Sequence, residues 1–197
     1  AERAKTARAF HAKDDVPEVR REVFRVLMGF DLRFYGVVRH KTALLDYVQQ
    51  RNEREAGYRY RADELYDTLV EELFRRYHPL ADRLEICFAT RGSRSRTHAF
   101  RTAIEKAETR FESQYAIRRS AEVAIVASTP PEMAGLQAVD YCLWALQRHY
   151  ERDDSRYIEL IWGTVVEIED MDRIEGGRKG VVYNKKRPLI VDQRASQ

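Results

Sequence analysis

Apolar residues follow two different periods along the chain, and the alternation of these periods predicts an α/β protein. Short runs rich in aromatic and β-branched residues are typical of strands, whereas apolar residues three or four positions apart are typical of helices. The predicted strands cover residues 32–40, 84–89 and 123–127, and the predicted helices cover 62–77, 97–114 and 136–148. This order favours a layered α/β fold with at least partly parallel strands, and a doubly wound sheet is one such arrangement.

The same pattern shows neither an internal repeat nor a second domain, so we predict one domain over residues 1–197. A chain of this length is sufficient to form one well-packed core. The predicted parts are a polar linker or frayed end at 1–9, a core at 10–163, and a C-terminal strand and hairpin extension at 164–197.

Three local patterns lead to more detailed structural predictions. The strand at 123–127 is apolar on both faces, which predicts a place in the middle of a covered sheet. The acidic run at 169–172 is expected to form a solvated turn, and metal binding is the alternative. A turn at 11–15 precedes a helix, and Asp15 with Glu18 has the spacing of a helix capping box.

The helix predicted at 136–148 contains the main chemical candidate, Asp140. Its apolar positions, expected to form a buried stripe, are Met133, Leu136, Val139, Leu143 and Leu146. Asp140 lies on or beside this stripe, and Gln137 stands on the same side of the helix. A buried carboxylate is costly unless a cation, a metal or several donors contact it. Two roles therefore stay open, a structural aspartate held by donors and a metal ligand or general base.

Gln137 and Asp140 form a Q-x-x-D motif, and two further segments accompany it, at 10–15 and at 150–157. With these motifs, over most of residues 8–190, the chain resembles domain-of-unknown-function family thirty-eight hundred, an uncharacterised prokaryotic family. The resemblance implies a ribonuclease-H-like fold, with a central mixed sheet flanked by helices. It also implies that Asp140 is a ligand of Mg²⁺ or Mn²⁺, that Gln137 orients it, and that the activity is metal-dependent phosphodiester cleavage.

One feature of that family is missing from this sequence, the Asp-Glu motif on its first strand. We therefore expect that the N-terminal strands are missing from this chain, and that an upstream segment or a partner supplies them. A sheet without them would have a bare edge, which is a folding liability.

Three other residues are candidates on chemical grounds. His11 would assist proton transfer, and Asp14 would add a carboxylate to the metal site. Lys41 follows the first predicted strand, and it would contact a phosphate because ligands in α/β proteins gather beyond strand ends. The structural alternatives are a packed or hydrogen-bonded His11 and a solvated Lys41.

A basic segment at 90–98 predicts a contact with nucleic acid. Its arginines, Arg91, Arg94 and Arg96, alternate with Gly, Ser and Thr between a predicted strand and a predicted helix. Guanidinium groups and hydroxyls there would bind phosphates, although the segment lacks the Gly-Lys-Ser/Thr core of a P-loop. The alternative is a surface loop with solvated arginines.

Composition narrows the class of protein but does not identify a function. Charged residues make up 34% of the chain, yet the net charge of +3 does not by itself indicate nucleic acid. Cys87 and Cys142 lie in apolar runs without metal-ligand spacing, which predicts reduced core cysteines and a cytoplasmic protein. No apolar run approaches the ~20 residues of a membrane helix.

Three functional hypotheses follow from these observations. The first is a metal-dependent, nuclease-like phosphodiesterase that uses Mg²⁺ or Mn²⁺. The second is a non-catalytic module of a mobile-element or defence system that binds nucleic acid or protein. The third is a homo-oligomeric structural protein whose aromatic residues form an interface, although most of these aromatic residues are more simply explained as core.

Overall fold

The computed structural model describes residues 8–76, 83–90, 97–115 and 122–190, which contain six α-helices and five strands. The helices are α1 Pro17–Leu27, α2 Lys41–Arg54, α3 Ala62–Arg76, α4 Thr97–Tyr115, α5 Ala134–Arg152 and α6 Arg156–Ile161, the last followed by a 3₁₀ turn at Trp162–Thr164. The strands are β1 Phe34–Val38, β2 Arg83–Ala89, β3 Glu122–Ser128, β4 Val165–Glu175 and β5 Arg178–Tyr183. Across these ranges, every helix is too short or too polar to span a lipid bilayer.

The strands form two sheets, and helices flank them. In the first sheet β4 lies in the middle, parallel to β1 and antiparallel to β5. In the second sheet β2 and β3 pair in parallel. The predicted α/β class is therefore confirmed, with a mixed sheet and a C-terminal hairpin, while the ribonuclease-H-like arrangement stays a prediction.

The buried residues form two hydrophobic clusters. The larger one surrounds α5 and includes Phe24, Tyr141, Ile158 and Ile168, all of them inaccessible to solvent. The smaller one lies between α3, α4 and β2, where the rings of Phe88 and Phe100 stack with centroids 4.7 Å apart. Helix α5 contacts both β1 and β2, so it links the two sheets.

The buried face of α5 differs from the predicted stripe. Val139 and Leu143 are about half exposed, whereas the side chains packed in the core are Tyr141, Cys142, Ala145 and Leu146. These four also follow helical spacing, and Leu146 alone belongs to both sets. The prediction was wrong because it relied on large aliphatic residues, although small and aromatic side chains fill the space beside α1 and β1.

Three other expectations were also wrong. The acidic run at 169–172 continues β4, and Glu169 and Asp170 are buried in it. Strand β3 lies at a sheet edge, and none of its residues is fully buried. Asp15 does not cap α1, because its carboxylate is engaged elsewhere and the residue at the helix start is Val16.

Candidate functional site

The turn before α1 contacts α5 through hydrogen bonds from its main-chain N–H groups to side chains of the helix. The N–H of Phe10 donates to Gln137 Oε1 at 2.9 Å, and the N–H of Ala12 donates to Asp140 Oδ2 at 2.9 Å. Gln137 also donates from Nε2 to the carbonyl oxygen of Pro130 at 2.6 Å. Because Ala12 is fully buried, its N–H needs an acceptor, and Asp140 supplies it. Both side chains of the Q-x-x-D motif thus hold the same turn.

Asp15 locks this turn from the inside. Its Oδ2 accepts the Tyr141 hydroxyl at 2.6 Å and the His11 N–H at 2.8 Å. Tyr141 is inaccessible to solvent and Asp15 nearly so, and burial followed by the Asp15 contact raises the pKa of Tyr141 above its ordinary value. The Tyr141 hydroxyl therefore stays protonated and keeps donating. Asp15 was a sequence candidate for a metal or substrate site together with His11 and Asp14, whereas Tyr141 was missed, although it directly follows Asp140.

These two hydrogen bonds, from Tyr141 and His11 to Asp15, are called the lock below. The lock holds His11 beside Asp140. Their side chains are 3.7 Å apart from Nδ1 to Oδ2, which is close enough for electrostatic interaction but too long for a hydrogen bond. The Asp140 side chain is 35% exposed, and its Oδ1 accepts no hydrogen bond within the described part of the chain. Of the two roles predicted for Asp140, the acceptor of main-chain amides is observed at Oδ2, and Oδ1 remains open to a ligand.

The donor set fits Mg²⁺ or Mn²⁺ only as a sparse site. Within the described ranges no three His, Cys, Asp or Glu side chains are grouped to hold a metal ion. Mg²⁺ usually keeps several waters and takes one or two carboxylates together with substrate phosphates. The open oxygen of Asp140 suits that mode, and Asp14 lies in the same turn as His11. These two carboxylates are the residues that would hold the ion.

Lys41, another predicted residue, does not join this cluster. Lys41 Nζ pairs with Glu151 Oε1 at 3.1 Å. Glu151 is eleven positions beyond Asp140 on α5, which corresponds to roughly 16 Å along the helix. Arg91, Arg94 and Arg96 lie outside the described residues.

A second polar cluster lies where β1 ends, beside the acidic middle of β4. His40 Nε2 is 3.0 Å from Asp170 Oδ2, and the His40 N–H donates to Asp172 Oδ2 at 2.7 Å. A usable signal was present in the sequence, since Asp170 and Asp172 have the two-residue spacing of side chains on one strand face. It was missed because this acidic run was interpreted as a turn.

Comparisons with known proteins complete the description of the chain. No protein-family model, no curated protein and no solved structure matches it. The resemblance to family thirty-eight hundred therefore stays a prediction, and a functional proposal has to rest on the contacts described above.

Proposed function

We propose that this protein is a metal-dependent phosphodiesterase acting on nucleic acid, with Asp140 as the carboxylate that holds Mg²⁺ or Mn²⁺. The observation that supports the proposal is the state of Asp140. One oxygen is fixed by the Ala12 N–H, the other accepts no hydrogen bond from the described residues, and His11 lies 3.7 Å away. A part-exposed carboxylate held in one orientation beside a histidine is a suitable start for a metal site.

Each residue would have a separate task in this reaction. Asp140, with Asp14, binds the ion, which supplies charge stabilisation to the phosphate and lowers the pKa of a bound water. Gln137 and Asp15 hold the turn that contains His11, and His11 accepts a proton during the reaction. Lys41 contacts a phosphate further along the nucleic acid, and Arg91, Arg94 and Arg96 bind the backbone.

Asp140→Asn tests the metal role directly. The amide oxygen of asparagine still accepts the Ala12 N–H, so the turn stays in place while the charge is removed. We expect Mn²⁺ affinity, measured by titration calorimetry, to fall at least about tenfold, the low end of the loss when a metal-orienting group is changed. Asp31→Asn, an exposed aspartate outside the turn, is the matched control and should bind like the wild type.

A second candidate function is a non-catalytic module that binds nucleic acid or protein, as a component of a mobile-element or defence system. The hydrogen bonds from Phe10 and Ala12 to both motif side chains favour it, because they give the motif a structural task. Equal Mn²⁺ binding by wild type and a folded Asp140→Asn variant would support this candidate. So would nucleic-acid binding that persists in EDTA, weakens with salt, and is reduced by Arg94→Ala and Arg96→Ala.

We propose a cytoplasmic location for either function. Cys87 and Cys142 are both free thiols, as suits a reducing compartment. Burial raises the pKa of the Cys142 thiol to about 11. This cysteine is therefore protonated near neutral pH and serves as a core residue rather than a nucleophile.

We also propose that a second copy of the chain completes the sheets. Among the described strands β1 pairs only with β4, and β2 and β3 form a parallel pair of just two strands. Parallel sheets are normally covered on both faces, and two strands alone are marginal. Apolar side chains are exposed on the second sheet, at Val126 of β3, and on the linking helix α5, at Val139 and Leu143.

Light scattering tests this self-association. We expect a mass above the 23.2 kDa of one chain, which falls towards that value in Leu143→Glu because a charge would be buried in the interface. Leu45→Glu, the same change at an exposed position of α2, should leave the mass unaltered. A monomer at the highest attainable concentration would contradict the proposal.

A further inference from the structure

The end of β1 brings basic residues beside the acidic middle of β4. The two strands are parallel, and Val38 at the end of β1 lies in register with Asp170. Arg39 and His40 therefore leave β1 beside the acidic part of β4. In parallel α/β structures the carboxyl ends of strands are where ligands are bound.

Asp170 orients the His40 ring. The Asp170 side chain is 1% exposed, and its Oδ1 accepts the main-chain N–H groups of Asp172 at 3.2 Å and Arg173 at 3.0 Å. Its Oδ2 lies 3.0 Å from His40 Nε2. With two main-chain donors on one oxygen, the carboxylate acts as an acceptor, so Nε2 carries the hydrogen of that bond. The other ring nitrogen, Nδ1, is then the basic one.

Neighbouring groups restrain His40 further. Its own N–H donates to Asp172, whose carboxylate also lies 3.3 Å from Arg39 Nε and 3.2 Å from Lys179 Nζ. The ring meets Tyr150 edge-on, with centroids 5.8 Å apart. The His40 side chain is still 40% exposed, and Nδ1 makes no hydrogen bond to any residue in the described ranges.

We propose that His40 is the catalytic residue of a second, metal-independent acid–base site, that Asp170 is its positioning residue, and that the substrate is a phosphodiester. Asp170 accepts the hydrogen of His40 Nε2, which leaves Nδ1 to act on the substrate. This is the arrangement of an oriented catalytic histidine. Lys41 is adjacent and largely exposed, and it would exchange its ion pair with Glu151 for an anionic ester. The site is separate from the Asp140 turn, since Tyr150 is ten residues from Asp140 on α5, roughly 15 Å along the helix.

The proposed step is a hydrolysis. The oxygen of a water molecule forms a bond to phosphorus while His40 Nδ1 takes the proton that the water loses. The P–O bond to the leaving alcohol breaks, and the alcoholate takes a proton from solvent. His40 then returns its proton to solvent, so the residue is regenerated and neither an oxidant nor a metal is consumed.

The test measures hydrolysis of bis(4-nitrophenyl) phosphate by the whole chain in EDTA. We expect wild-type turnover above that of buffer, and a loss of about a hundredfold in His40→Gln, the lower range for general acid–base catalysis. Asp170→Asn should lose activity as well, because an amide permits the other ring tautomer. Asp31→Asn, the same change at an exposed aspartate outside both clusters, is the matched control and should have no effect. EDTA keeps this test independent of the Asp140 proposal.

Nitrogen-15 NMR of the histidine rings gives a second readout that needs neither activity nor a variant that folds. We expect wild-type His40 to be the Nε2–H tautomer, with Nδ1 shifting when inorganic phosphate is added. An Nδ1–H tautomer, or hydrolysis that is absent in the wild type or equal in a folded His40→Gln, would overturn the proposal.

Discussion

Asp15→Ala is expected to lower the free energy of unfolding by about 3 kcal/mol, because it leaves buried donors without an acceptor. The Tyr141 hydroxyl donates to Asp15 at 2.6 Å in a fully buried place, and the His11 N–H donates to the same oxygen. Alanine removes the acceptor at a buried place that bulk water does not reach. Urea unfolding followed by circular dichroism measures the change.

A double-mutant cycle with Tyr141→Phe separates the hydrogen bond from other effects of the substitution. The donor and the acceptor are in direct contact, so the two changes should not be additive, and a coupling of about 1.5 kcal/mol or more is expected. Asp31→Ala removes an exposed carboxylate outside the turn and should change stability by less than about 0.5 kcal/mol. Additive effects of Asp15→Ala and Tyr141→Phe would show that the lock does not stabilise the fold.

The same lock links stability to the proposed site. Asp15 holds the main chain at His11, and His11 lies beside Asp140, so loss of the lock should weaken Mn²⁺ binding as well as the fold. Tyr141→Phe keeps the packing of the ring and removes only the hydroxyl. If the metal proposal holds, this variant remains folded but binds Mn²⁺ more weakly than the wild type.

Phe24→Ala is the other substitution with a large expected effect, a loss of about 3–5 kcal/mol. Phe24 is inaccessible to solvent, and its ring packs against Tyr141 and Tyr157 with centroids 5.2 and 5.6 Å apart. It is therefore the contact by which α1 meets α5 and α6. Alanine leaves a cavity that three helices border, and helices cannot collapse into it without moving their main chains.

Thermal or urea unfolding of Phe24→Ala measures this loss, and Phe30→Ala is the matched control. Phe30 follows α1 and is exposed, so its truncation should cost less than about 0.5 kcal/mol. Since Phe24 also supports Tyr141, the variant is expected to lose the lock at a lower urea concentration than Asp31→Ala. Equal stability of Phe24→Ala and Phe30→Ala would mean that α1 does not belong to the core.

Much of the secondary structure was predictable from local chemistry. The strand near residue 36 is rich in β-branched and aromatic residues, and the observed strand is Phe34–Val38. The helices predicted at 62–77 and 97–114 are observed as Ala62–Arg76 and Thr97–Tyr115. Propensity and periodicity are properties of neighbouring residues, so the chain itself carries them. The turn at 11–15 was predictable for the same reason.

The local sequence pattern did not predict which side chains lie together in the folded protein. Asp140 and Gln137 were recognised by their place on a helix, yet their partners come from a turn more than 120 residues earlier. The interpretation of Asp15 as a helix cap agreed with the local sequence. In the structure its carboxylate instead accepts the Tyr141 hydroxyl. A buried hydroxyl on α5 competes for the carboxylate, and only the packed structure shows that contact.

The sequence by itself determined the order of helices and strands, the α/β class and the candidate carboxylate Asp140. Tertiary structure decided which face of α5 is buried, because Val139 and Leu143 remain about half exposed while Ala145 fits against the core. It also decided that Asp170 lies within a strand, since the acidic run gains its donors from its own main chain and from His40. A buried charge is tolerated only where such donors converge, and convergence is a property of the fold.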